Sequence, residues 1–143
     1  MSLFFFLLIG CGGNGEKEPE PITETENFTY VPIQDEAADE NGISLLNEWL
    51  KNNPGKKVVS FSGVLAYRDG VSGYIVYFVH GDNSRQRFEQ ISNATIMENS
   101  RSAIFGVNTL QLWKEAKSDL KIVAISTVPS YSGGVREYVI CSE

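Results

Sequence analysis

The chain repeats itself. Gly42 to Tyr77 can be laid on Gly106 to Cys141 without a gap, at an offset of 64 residues, and eleven of the paired positions are identical. Among them are Gly42/Gly106, Leu46/Leu110, Trp49/Trp113, Lys57/Lys121, Ser62/Ser126, Tyr67/Tyr131, Gly70/Gly134 and Tyr74/Tyr138. Ile43/Val107, Val58/Ile122, Phe61/Ile125 and Ile75/Val139 are conservative pairs in the same register. Self-similarity at a fixed offset constrains a fold more than any local propensity, because both copies must adopt one local structure.

Each copy reads as a helix followed by a hairpin. Leu46, Trp49 and Leu50 fall on one helical face, and Leu110, Trp113 and Ala116 on the matching face. Ser44 and Asn108 stand at equivalent places, where a short side-chain oxygen caps orphan backbone N–H groups. Pro54-Gly55 ends the first helix. Runs rich in β-formers follow at 57–67 and 121–131, and second runs at 71–79 and 135–141. Asp69-Gly70 and Gly133-Gly134 lie between them and supply the positive φ that tight hairpins need. The expected fold class is therefore α+β, a tandem α-β-β repeat. It forms one antiparallel sheet with two helices packed on one face, and the two tryptophans anchor a shared core.

Charge divides the chain. Residues 12–41 hold nine acidic side chains against Lys17, a net of −8, whereas residues 42–143 hold eleven basic and nine acidic ones, a net of +2. A near-neutral domain offers no basic footprint for nucleic acid. The acidic stretch is rich in Pro, Glu and Thr and has little to bury, which describes an extended tether over 11–41. Phe28, Tyr30, Val31 and Ile33 are its exception, and read as a short strand docking on the domain. The organisation is then a segment 1–10, the tether 11–41 and one α+β domain over 42–143. Repeat units span about 42–80 and 106–143, joined by a segment 81–105 that has no counterpart after the second copy.

Residues 1–11 are a short apolar run ending in Leu8-Ile9-Gly10-Cys11. A small residue directly before a cysteine, at the close of an N-terminal apolar stretch, resembles the lipobox of bacterial lipoproteins. The run is too short to span a bilayer, which needs roughly 20 residues, and no Lys or Arg precedes it. The resemblance implies removal of 1–10, acylation of Cys11, and a domain held at the bacterial cell envelope, periplasmic or at the cell surface, by a lipid anchor. Cys141, left without a partner, reads as a buried apolar residue in the last strand.

Little in the sequence speaks for chemistry. Gly10 to Gly15 fits G-x-G-x-x-G only in letters, since it neither follows a strand nor opens a helix. His80 is the sole histidine, no metal-ligand spacing surrounds it, and Asp82 beside it suits a turn. No cofactor or metal is expected. The candidate binding positions are the repeated Tyr67, Tyr74, Tyr131 and Tyr138 on an open sheet face, with Arg85 and Arg87 in the connecting segment. The leading expectation is a non-enzymatic, membrane-tethered module that binds another envelope protein. The alternative is a small hydrolase or ligand-binding domain with its site near His80, between the repeats.

Overall fold

The computed structural model describes residues 24–33, 41–66, 70–92, 102–130 and 134–143. Along the chain run β1 (Phe28–Pro32), α1 (Ile43–Asn52), β2 (Lys56–Leu65), β3 (Val71–His80), β4 (Arg87–Ser92), α2 (Ser102–Ala116), β5 (Ile122–Pro129) and β6 (Val135–Ser142). The order β-α-β-β thus occurs twice, and every strand pairing is antiparallel. The protein is α+β, as the sequence indicates.

The strands form two three-stranded sheets rather than the expected single one: sheet A in the order β1-β3-β2, and sheet B in the order β4-β6-β5. The strand expected at Phe28 to Ile33 is present as β1, so the folded part begins ahead of Gly42. In register, Phe28 faces Tyr77 across sheet A, and Phe88 faces Cys141 across sheet B. Tyr77 and Cys141 are one of the 64-residue pairs, so β4, in the connecting segment, takes the place in sheet B that β1 takes in sheet A. The counterpart of the connecting segment lies before the first copy, not after the second.

Both hairpins turn as expected. Gly70 and Gly134 have φ of 74° and 83°, the left-handed region that glycine enters without a Cβ clash. Ala66 N–H donates to Gly70 C=O at 3.2 Å, and Ser130 N–H to Gly134 C=O at 3.1 Å. Asp69 and Gly133 lie outside the described residues.

The helix starts differ from expectation. α1 is entered through Gly42, at φ 67°, with no side-chain cap, and Ser44 sits inside its first turn. Asn108 lies within α2, which begins at Ser102. A buried tyrosine holds the residue before that entry instead: Tyr74 Oη–H donates to Asn41 C=O at 2.8 Å, and its ring lies beside Gly42. In the second copy the hydroxyl of Tyr138 lies against Gly106. Two identical pairs found in the sequence, Gly42/Gly106 and Tyr74/Tyr138, are therefore one contact made twice. At Gly106 a side chain would occupy the space of the tyrosine; at Gly42 it would meet the Ile33 side chain at 2.7 Å, and the φ of 67° itself favours glycine.

That contact yields a test in which helix propensity gives the wrong sign. Alanine for glycine inside a helix ordinarily stabilises by about 0.5–1 kcal/mol. At Gly106 the new Cβ would stand 1.8 Å from Tyr138 Oη, and moving a packed ring costs about 1–3 kcal/mol. Gly106→Ala is expected to lower the thermal midpoint, while Gly55→Ala, whose Cβ meets nothing within 4 Å, leaves it nearly unchanged. A Gly106→Ala protein as stable as wild type would remove the tyrosine contact as the reason for this glycine.

The helices do not share one face. α1 lies on the side of sheet A that carries Tyr74 and Phe78, and also packs against β4 of sheet B. α2 lies on the far side of sheet B, beside β4 and β6. Leu46 and Leu50 of α1 are buried, each worth roughly 1.5–3 kcal/mol, which matters for a ten-residue helix that would be marginal alone. Trp49 is half-buried against Phe78, ring centroids 5.7 Å apart, and against the core. Trp113 is half-buried under the Lys117 ammonium, 5.5 Å from its ring. The tryptophans hold matching helix positions but not a shared core, because α1 packs against strands of both sheets and α2 against β4 and β6 of sheet B. Ala116, expected on the inner face of α2, is exposed.

The core sits between the helix-bearing side of sheet A and the helix-free side of sheet B. It joins Leu46, Leu50, Phe61, Tyr74 and Val76 to Phe88, Val128, Val139 and Cys141. Phe61 and Phe88 meet edge to face at 5.1 Å, the favoured arrangement of ring quadrupoles. β2 and β5 run side by side, with Gly63 N–H donating to Ser126 Oγ at 3.0 Å. At their starts, Lys57 and Lys121 grip the Glu143 carboxylate at 2.9 and 3.0 Å. Hydrogen bonds from Lys57 and then Lys121 hold that carboxyl below its usual range.

Candidate interaction surface

The connecting segment is spent on the fold. Buried Asn83 directs its amide Nδ2 at the carbonyls of Leu50, Asn53 and Lys56, at 3.1, 2.8 and 3.0 Å, closing the C-terminal end of α1. Gln86, also buried, accepts from Val58 N–H at 2.8 Å and donates to Val58 C=O at 2.9 Å, so its side chain pairs with β2 as a strand would. Asn47 does the same for β4, bonding both N–H and C=O of Phe88. The Gln86 and Asn47 amides thus satisfy backbone groups of strands β2 and β4.

His80 ends β3 in an exposed position, opposite Lys56. The Asp82 carboxylate accepts from Ser84 N–H at 2.9 Å and from Ser84 Oγ–H at 2.8 Å, and these bonds hold its pKa below the ordinary value. Asp82 is the turn former that its place in the sequence suggests. Among the described residues, no group of three or more His, Cys, Asp or Glu side chains is placed to hold a metal ion.

Of the tyrosines marked in the sequence, Tyr74 is fully buried and Tyr138 is buried. Both belong to the helix-bearing sides of their sheets, so neither lies on an open face. Tyr67 and Tyr131 lie outside the described residues, as does Cys11. Arg85 is exposed in the loop before β4. Arg87, exposed on β4, has its Nε 3.5 Å from the Glu89 carboxylate, which also receives Lys117 at 2.7 Å. The two arginines border an ion-paired strand and are not brought together with the tyrosines. A second polar cluster lies between the sheets. There Asn41 donates to Gln90 Oε1 at 3.0 Å and to the Glu137 carboxylate, and accepts from Arg136 at 3.3 Å.

The open surface is the helix-free side of sheet A. Alternation along β1, β3 and β2 puts Phe28, Tyr30, Ile75, Tyr77, Ser60 and Ser62 on it. Phe28 stacks on Tyr77 with ring centroids 5.0 Å apart. Tyr30 lies over Gly73, where a Cβ would come within 2.7 Å of its ring, and its hydroxyl donates to Ser72 C=O at 3.1 Å. Phe28 remains 50% exposed and Ile75 46%. These six residues carry no charge, and together they present apolar and aromatic surface edged by hydroxyls. Sequence reasoning missed them because β3 is apolar on both faces, so its pattern does not say which face stays open.

In sheet B the corresponding side is closed. Phe88, Val139 and Cys141 are all in the core. Burial pushes the Cys141 thiol up to about 12, which matches the buried apolar role read from the sequence. Under native conditions at neutral pH, Cys141 is expected to escape alkylation by iodoacetamide and to react fully in denaturant, as read by peptide mass mapping. Native modification at the rate of a free thiol would contradict that burial.

Compared with protein-family models, curated proteins and solved structures, the chain matches none. Among the described residues no helix is long and apolar enough to cross a membrane.

Proposed function

We propose that this chain is a tandem of two β-α-β-β units held at the bacterial cell envelope by a lipid on Cys11, and that it acts as a non-enzymatic protein-binding module. The observation that carries the binding role is the uncovered apolar face of sheet A. Monomeric proteins rarely leave contiguous apolar and aromatic surface in water unless it meets a partner, and the matching face of sheet B is covered. The anchor rests on Leu8-Ile9-Gly10-Cys11 at the end of an apolar run. The acidic stretch that follows separates the domain from the membrane by self-repulsion. The tandem reading rests on the 64-residue identities, the repeated element order and the Gly–Tyr contact made in both copies.

Two measurements test it. Fatty-acid labelling is expected for the wild type and absent for Cys11→Ser; labelling that is unchanged, or missing from both, rejects the anchor. A photo-crosslinking side chain placed at Ile75 in native membranes should give a discrete protein adduct. The same side chain at Glu48, on the exposed surface of α1, should not. Equal adducts at both sites, or none at Ile75, would reject sheet A as the binding face.

A further inference from the structure

Building on the reading of sheet A as a binding face, we infer that its occupant is a second copy of this chain, docked head to tail, with α2 of one copy on sheet A of the next. The two halves already associate in this way within one chain. The helix-bearing side of the first half, with Phe61, Tyr74 and Val76, packs on the helix-free side of the second, with Phe88, Val139 and Cys141. α1 lies against β4. Such a junction joins two different surfaces, so among the described residues it leaves one copy of each unused.

Exposure differs in that direction at four pairs of positions. On the sheet side, Phe88, Val139 and Cys141 are covered, whereas Phe28, Ile75 and Tyr77, at the same places in sheet A, are wholly or partly open. On the helix side, Ile43 of α1 packs against the core, whereas Val107, 64 residues later on α2, is 66% exposed. The sheet A patch carries no charge, so Val107 and its neighbour Gln111 on α2 can meet it without stripping water from an ion on the sheet. In these four pairs the more exposed member is the one beside which the described residues place no second half. A head-to-tail contact is not closed by two-fold symmetry, so it extends beyond a dimer unless the rotation between copies forms a ring.

Complementation separates this contact from any symmetric dimer. The full chain is followed by sedimentation velocity over a range of concentrations, beside Ile75→Glu and Val107→Glu. Both sites are exposed, and unchanged circular dichroism and melting establish that each variant is folded. The wild type should gain mass with concentration and pass beyond the dimer. Each variant alone keeps one intact surface and should stay monomeric, because a carboxylate forced into the contact weakens it by about tenfold or more. An equimolar mixture should form a dimer and nothing larger, since the helix side of Ile75→Glu meets the sheet side of Val107→Glu. A wild type that stays monomeric throughout overturns the inference, as does a mixture no heavier than its parts or a variant that associates as strongly as wild type. If the wild type is monomeric while Ile75 still crosslinks a different protein, the face binds another partner and only self-association fails. If neither occurs, the binding role fails with it.

Discussion

Tyr74→Ala is expected to bring the protein close to unfolding. The side chain has no exposed surface, packs its ring 5.9 Å from that of Phe61, and donates its hydroxyl to Asn41 C=O. Truncating a buried aromatic side chain costs about 3–5 kcal/mol, a large share of the roughly 5–15 kcal/mol that holds a small domain together. The loss reaches further than a cavity, because Asn41 also bonds Gln90, Glu137 and Arg136 across the junction between the sheets. Tyr74→Phe isolates the hydroxyl: the ring stays, the Asn41 carbonyl loses its donor, and about 1–3 kcal/mol is lost. Urea unfolding followed by tryptophan fluorescence reads both. The order alanine far below phenylalanine, and phenylalanine below wild type, is required. A Tyr74→Phe midpoint equal to wild type would show that the hydroxyl does not hold the start of α1.

Asn83→Ala should cost about 2–3 kcal/mol, because one amide serves three carbonyls between the end of α1 and the start of β2. Asn83→Asp sharpens the test. The carboxylate has almost the same shape but only accepts hydrogen bonds, and it adds negative charge to the negative end of a helix. Aspartate should therefore be at least as damaging as alanine, with hydrogen exchange accelerating first at the amides of α1. If aspartate restores stability relative to alanine, the amide is not acting as a donor to Leu50, Asn53 and Lys56.

Asn83 also shows how a functional expectation can mislead. The connecting segment looked special in the sequence because nothing followed the second copy to match it. Its buried side chains, Asn83 and Gln86, instead close α1 and pair with β2. Both partners lie 27 or more residues away, beyond anything a local pattern conveys. The candidate tyrosines show the same limit: repetition marked Tyr74 and Tyr138 as important but not as buried. The surface residues that replace them, Phe28, Tyr30, Ile75 and Tyr77, were visible only as members of strands.

The sequence by itself determined the local units: which segments are helix and hairpin, where Gly70 and Gly134 turn, and that Phe28 to Ile33 can form a strand, although it placed that strand in the tether. It also marked Gly42 with Tyr74 and Gly106 with Tyr138, although not that they touch. These features are settled within one unit, by backbone conformation and side-chain period. Only the tertiary structure decided that there are two sheets instead of one, that α1 packs against strands of both while α2 lies on the far side of sheet B, and which apolar face stays in water. The physical reason is that β3 and β6 are apolar on both sides, so either side satisfies the pattern. Covering one of them depends on a neighbouring half, and among the described residues none lies on the outer side of the first half.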